Sequence, residues 1–98
     1  MNSLNPIVNK CEEVSEVLRS LSHPVRLKIL CQVLEKEQTV NELTEFCGIA
    51  QPAMSQFLRR MKNEGVLKSR KEATFVYYSL ADKKLLSLMK AIKDIYCK

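Results

Sequence analysis

Apolar residues recur at spacings of three and four from Ile7 through Cys11, Val14, Leu18 and Leu21. That spacing places them on one face and predicts a helix from Pro6 to about Leu21. Ser22-His23-Pro24 breaks the period, and Pro fits the first turn of a helix, so a second helix is predicted from there to about Lys36. Its apolar set (Val25, Leu27, Ile29, Leu30, Val33, Leu34) wraps most of the circumference and marks the central buried helix. Thr39-Val40-Asn41-Glu42 has the form of a capping box, in which hydroxyl and carboxylate each satisfy a free backbone N–H. It opens a short helix from Val40 to Phe46, closed by Cys47-Gly48, where Gly accepts positive φ. After Ile49-Ala50 a further helix is predicted from Gln51 to Glu64. Its inward face is Ala53, Met54, Phe57, Leu58 and Met61; its outward face carries Gln51, Ser55, Gln56, Arg59, Arg60 and Lys62. Two short helices joined by a tight turn form a helix-turn-helix.

Beyond Gly65 the period shortens. Val66 to Arg70 and Phe75 to Leu80 are rich in β-formers and bracket a polar tip, Lys71-Glu72-Ala73-Thr74, which predicts a hairpin. A last helix follows from about Asp82 to Tyr96, with Leu85, Leu88, Met89, Ile92, Ile95 and Tyr96 on its apolar face. The expected fold is mostly α, in the α+β sense: a winged helix-turn-helix forming one domain over residues 1–98. The helix-turn-helix spans about 40–64 and the wing about 66–80. A small core plus a hairpin cannot cover the stripes of both terminal helices, about 6–21 and 82–97. These are therefore expected to pack against a second copy, giving a two-fold homodimer.

Composition narrows the function. At 98 residues, 46% apolar and with charges of both signs, the chain is neither disordered nor long enough for two domains. No stretch approaches the roughly 20 apolar residues of a membrane span, so no membrane role is expected. Met1 to Lys10 lacks the apolar run of a secretory signal, which predicts a cytoplasmic protein with reduced thiols. One His, two glycines and no Gly-rich loop supply neither a nucleophile–base pair nor a phosphate cradle. No enzyme activity, catalytic residue or cofactor is expected.

Lys+Arg exceed Asp+Glu by 16 to 11, a net +5, which favours an anionic partner. The start of the second helix of the helix-turn-helix carries Gln51, Pro52, Ser55, Gln56 and Arg59. Gln suits adenine edges, Arg guanine and Ser either, which is the chemistry of major-groove reading. Arg60, Lys62, Lys68, Arg70, Lys71 and Thr74 lie toward the backbone or the hairpin tip, where phosphate contacts set register without reading sequence. Double-stranded DNA is the expected partner, with an inverted-repeat operator matching a symmetric dimer.

Leu21 to Leu30, Gln51 to Leu58, Glu64 to Leu67 and Val76 to Leu80 together resemble the signature run of the ArsR/SmtB family, from about residue 12 to 97. The resemblance implies a homodimeric winged-helix repressor whose first and last helices form the interface. Three positions depart from the family pattern. Ala50 stands where a Ser usually caps the recognition helix, leaving Gln51 or a shifted start to serve. Phe57 stands where His is common, and Ala73 replaces the usual wing-tip Gly.

Most of that family sense metals. The Cys-x-Cys pair of one known site has no counterpart in Val40-Asn41-Glu42-Leu43, and the last helix has no His for the other. The lone His23, beside Pro24 at a helix start, reads as a cap or loop residue, so no metal is expected. Cys11 and Cys47 read as packing residues. Cys31 shares a face with Leu27 and Leu34 and reads by position as core, whereas Cys97 at the end of the last helix reads as accessible. Leu27 to Cys31 and Asp94 to Lys98 further resemble the paired segments of the HlyU/BigR/SqrR branch. That resemblance implies a redox switch at Cys31 and Cys97, closed as a disulfide or polysulfide bridge by reactive sulfur species. The alternatives are a constitutive or anti-silencing DNA-binding regulator and a metal-responsive repressor.

Overall fold

The computed structural model describes residues 5–97; of the stretch read for a leader, residues 1–4 lie outside it. A 3-10 turn, Pro6–Lys10, precedes helix α1, Cys11–Leu21; α2 spans Pro24–Glu35 and strand β1 Gln38–Thr39. Helices α3, Val40–Cys47, and α4, Gln51–Asn63, lead into strands β2, Leu67–Glu72, and β3, Phe75–Leu80, and α5 closes the order at Lys83–Tyr96. The strands form one antiparallel sheet in the order β1-β3-β2. This is a winged helix-turn-helix with an additional helix at each end.

Three local features differ from the sequence reading. The first helix is α-helical only from Cys11. Pro6 has no N–H, Asn5 accepts the N–H of Ile7, and Val8 bonds to the Asn5 carbonyl at 3.1 Å, so the tighter ladder takes the first turn. Strand β1 was not anticipated: its two residues pair Gln38 with Tyr78 and Thr39 with Tyr77, too short a run for alternation to show. The wing strands also run further than expected. Lys71 and Glu72 lie within β2, Glu72 faces Phe75, and only Ala73-Thr74 form the tip. Ala73 sits at φ +57°, a conformation that explains why glycine is usual there.

The expected caps are present. The Thr39 hydroxyl accepts the Glu42 N–H at 3.2 Å, and the Glu42 carboxylate accepts the Thr39 N–H at 2.8 Å. Gly48, at φ +69°, ends α3 with its N–H on the Thr44 carbonyl. The end of α4 has the paired bonds of a Schellman motif, Val66 N–H to Met61 and Gly65 N–H to Lys62.

The core joins Ile29, Leu30 and Val33 of α2 to Leu43 of α3, to Met54, Leu58 and Met61 of α4, and to Leu85 and Met89 of α5. The central role of α2 thus follows from its apolar content. The first helix contributes little, only Leu21 of its stripe being buried; Ile7, Val14 and Leu18, and on α5 Ile95 and Tyr96, stay on the surface.

Candidate nucleic-acid interface

Burial of Met54, Leu58 and Met61 turns the opposite face of α4 outward, so Gln51, Pro52, Gln56, Arg59, Arg60 and Lys62 are exposed and Ser55 half-buried. The helix begins at Gln51 with Ala50 as its N-cap and no capping side chain. Neither Gln51 nor a shifted start takes over the missing cap. Pro52 carries no N–H, and Met54 already bonds back to the Ala50 carbonyl at 3.0 Å. Among the described residues the first-turn amides of Gln51 and Ala53 have no side-chain partner, a positive helix end beside the residues expected to read bases. A notch of about 200 Å³ brings Gln51 together with Asn41 of α3 and with Thr74 and Phe75 at the wing tip.

The basic residues divide by engagement. Among the described residues, no hydrogen bond or ion pair holds the side chains of Arg59, Arg60 or Lys71. Lys62 Nζ donates to Ser69 Oγ at 2.7 Å and ties α4 to β2. Arg70 is bound up: it donates to Glu37 at 2.8–3.0 Å and to Glu72 at 2.5 Å, and its guanidinium lies 4.6 Å over the Tyr77 ring. Hydrogen bonding from Arg70 holds the Glu37 carboxyl below the usual carboxylate range. The far end of α4 is fixed by Arg26, which donates to both Glu64 oxygens (2.7 and 3.0 Å) and to the Ser20 carbonyl (2.8 Å). That contact depresses the Glu64 carboxyl too. Sequence reasoning found neither link, because partners 33 and 38 positions apart leave no local pattern.

His23 caps α2, its Nδ1 accepting the Val25 N–H at 3.1 Å, and its ring packs 5.0 Å from Phe57. Among the described residues no group of three or more His, Cys, Asp or Glu is placed to hold a metal ion. Cys47 is buried, and desolvation pushes its thiol up despite the nearby Lys28. Cys31 is exposed and not core: the Leu27–Leu34 side of α2 is only half-buried, and the thiol lies at its open edge. Cys11 is exposed as well, its Sγ 3.4 Å from the Ile7 carbonyl, so it is not buried within the chain. Cys97 is exposed as expected.

A tight-turned helix pair with a polar outer face, flanked by a basic hairpin, defines a DNA-binding regulator of the winged-helix class. The family profile described as "Bacterial regulatory protein, arsR family" matches residues 23–69. The biofilm growth-associated repressor of Xylella fastidiosa is 36% identical over 90% of this chain and 77% of its own length. The HTH-type transcriptional regulator YgaV of Escherichia coli K12 is 33% identical over 99% of both chains. The structure of reduced HlyU from Vibrio cholerae superimposes with a TM-score of 0.87 at 28% identity, covering 97% of this chain and all of that one. The chain belongs to the ArsR family. Its class is regulatory and not enzymatic, and no helix among the described residues is long and apolar enough to cross a membrane.

Proposed function

We propose that this protein is a cytoplasmic, homodimeric repressor that binds an inverted-repeat operator and is released when reactive sulfur species bridge Cys31 and Cys97. Gln51, Pro52, Ser55, Gln56 and Arg59 would meet base edges. Arg60, Lys71 and Thr74 would meet the backbone. The uncovered stripes favour the dimer: Leu18 is 52% exposed, Ile95 63% and Tyr96 79%. Leu18 also lines a groove of about 350 Å³ between α1 and α5, with Val14, Val17, Leu85 and Leu88. Apolar side chains left uncovered on both terminal helices mark an interaction surface.

The observation that supports the switch is that Cys31 of α2 and Cys97 at the end of α5 are both exposed, on two helices that pack together. Glu35 lies one turn beyond Cys31, and Lys93 one turn before Cys97, so each shares a face with its cysteine. The ion pair between them, at 3.9 Å, links α2 to α5 within about one turn of each cysteine. A covalent bridge there would restrain α2 against the dimer helix α5. It would thereby change the spacing of two recognition helices that must match half-sites about one DNA turn apart.

The test uses a duplex selected from a random-sequence library, with anisotropy and intact-mass measurements on the same samples. Glutathione persulfide should weaken binding and add one or more sulfurs with loss of two hydrogens. Cys31→Ser and Cys97→Ser should bind normally and not respond. Release that persists in Cys97→Ser refutes the switch, and affinity unchanged by oxidants and sulfur donors favours a constitutive regulator.

A further inference from the structure

The most fully bonded cation on the wing is engaged by carboxylates. Arg70 directs Nε and Nη2 at Glu37 and Nη1 at Glu72, with the guanidinium face against Tyr77. One arginine between two carboxylates leaves a net −1, which repels DNA, so attraction to phosphate does not account for the group. Its position does. Glu37 lies immediately before β1, whose last residue, Thr39, is the N-cap of α3. Arg70 lies on β2, the opposite edge strand, and pairs in register with Tyr77, which in turn pairs with Thr39. The ion pair therefore spans the three-stranded sheet and joins the wing's outer strand to the segment that opens the helix-turn-helix. One residue earlier on β2, Ser69 is held by Lys62 of α4.

We propose that Arg70 and Glu37 form a clamp that sets the wing against the recognition helix, Arg70 being a positioning residue for DNA binding and not a phosphate ligand. This rests on the DNA-binding reading above. The clamp makes a prediction opposite in sign to simple electrostatics. Glu37→Gln adds one positive charge per protomer, which by charge alone tightens binding to DNA. With the clamp lost, binding weakens.

The experiment measures affinity for the selected duplex from 50 to 300 mM salt, with amide hydrogen exchange on the free proteins. Glu37→Gln and Arg70→Gln should each weaken binding about two- to fivefold, the range of an exposed ion pair. The double variant should be no weaker than either single one. The salt slope should stay at the wild-type value in all three. Lys71→Gln, removing a free cation, should reduce the slope by about 0.9 per protomer. Exchange at the β2 and β3 amides should quicken in the two clamp variants and not in Lys71→Gln. Tighter binding by Glu37→Gln, a slope lowered by Arg70→Gln, or unaltered exchange overturns the clamp. Absence of duplex binding by the wild type overturns the functional reading instead, and the exchange data still decide whether the clamp exists.

Discussion

Arg26 is the side chain whose removal best tests how the recognition helix is held. It is 12% exposed, and Glu64, its partner at the end of α4, is 42% exposed. Arg26 also supplies a donor to the Ser20 carbonyl, one of the last carbonyls of α1, which the helix itself cannot satisfy. Arg26→Met keeps the apolar stem and removes every donor. A hydrogen bond to a charged group contributes about 1.5–3 kcal/mol when shielded, and an exposed ion pair at most about 1 kcal/mol. With Glu64 more than a third exposed, the expected loss is about 2 kcal/mol, and the coupling in a cycle with Glu64→Gln is about 1 kcal/mol. Urea titrations at one fixed protein concentration measure both, because dimerisation makes apparent stability concentration-dependent.

The pH dependence has a definite sign. The folded carboxyl of Glu64 is lowered, first by the Arg26 hydrogen bond. Its stabilisation is therefore complete above the unfolded glutamate value of about 4.3 and is lost as pH falls through the lower folded value. The coupling should be full at pH 7 and shrink below about pH 4. A coupling under about 0.3 kcal/mol at pH 7, or one that holds constant into acid, would refute the reasoning.

Three further outcomes are expected. Leu58→Ala empties a fully buried site on the inner face of α4 and should cost about 2–5 kcal/mol in the same titration. A loss below 1 kcal/mol would mean that the core closes around the gap. Ala50→Ser supplies the cap that α4 lacks and should stabilise by about 1 kcal/mol; no gain would show that the first-turn amides already have partners. Cys47, buried and with its thiol pushed up, should be alkylated by iodoacetamide well after Cys31 and Cys97. Peptide mass spectrometry over a time course reads the order, and early labelling of Cys47 contradicts its burial.

Most of the fold was legible because its determinants are local. The capping box at Thr39, the period of α4 and the β-rich run from Phe75 to Leu80 each act within a few residues, and each formed where expected. The same holds for the outward set on α4, since burying Met54, Leu58 and Met61 leaves Gln51, Gln56 and Arg59 no other direction. The cysteines were harder. Periodicity placed Cys31 among apolar neighbours, yet a helix that is apolar nearly all round gives no sign of which edge its neighbours leave open.

The sequence by itself determined the order of the helices and the wing hairpin, the helix-turn-helix and the family, though not the two-residue strand β1. Helix periods, caps and turns are short-range properties, and hydrophobic burial only has to collect them. Tertiary structure decided which charges are available. Arg59, Arg60, Lys62, Arg70 and Lys71 are equivalent in a count of +5, but Arg70 is consumed by Glu37 and Glu72 and Lys62 is tied to Ser69. It likewise exposed Cys31 and joined Arg26 to Glu64 across 38 positions. A charge acts through whatever lies within a few ångströms of it, and packing alone brings such distant residues that close.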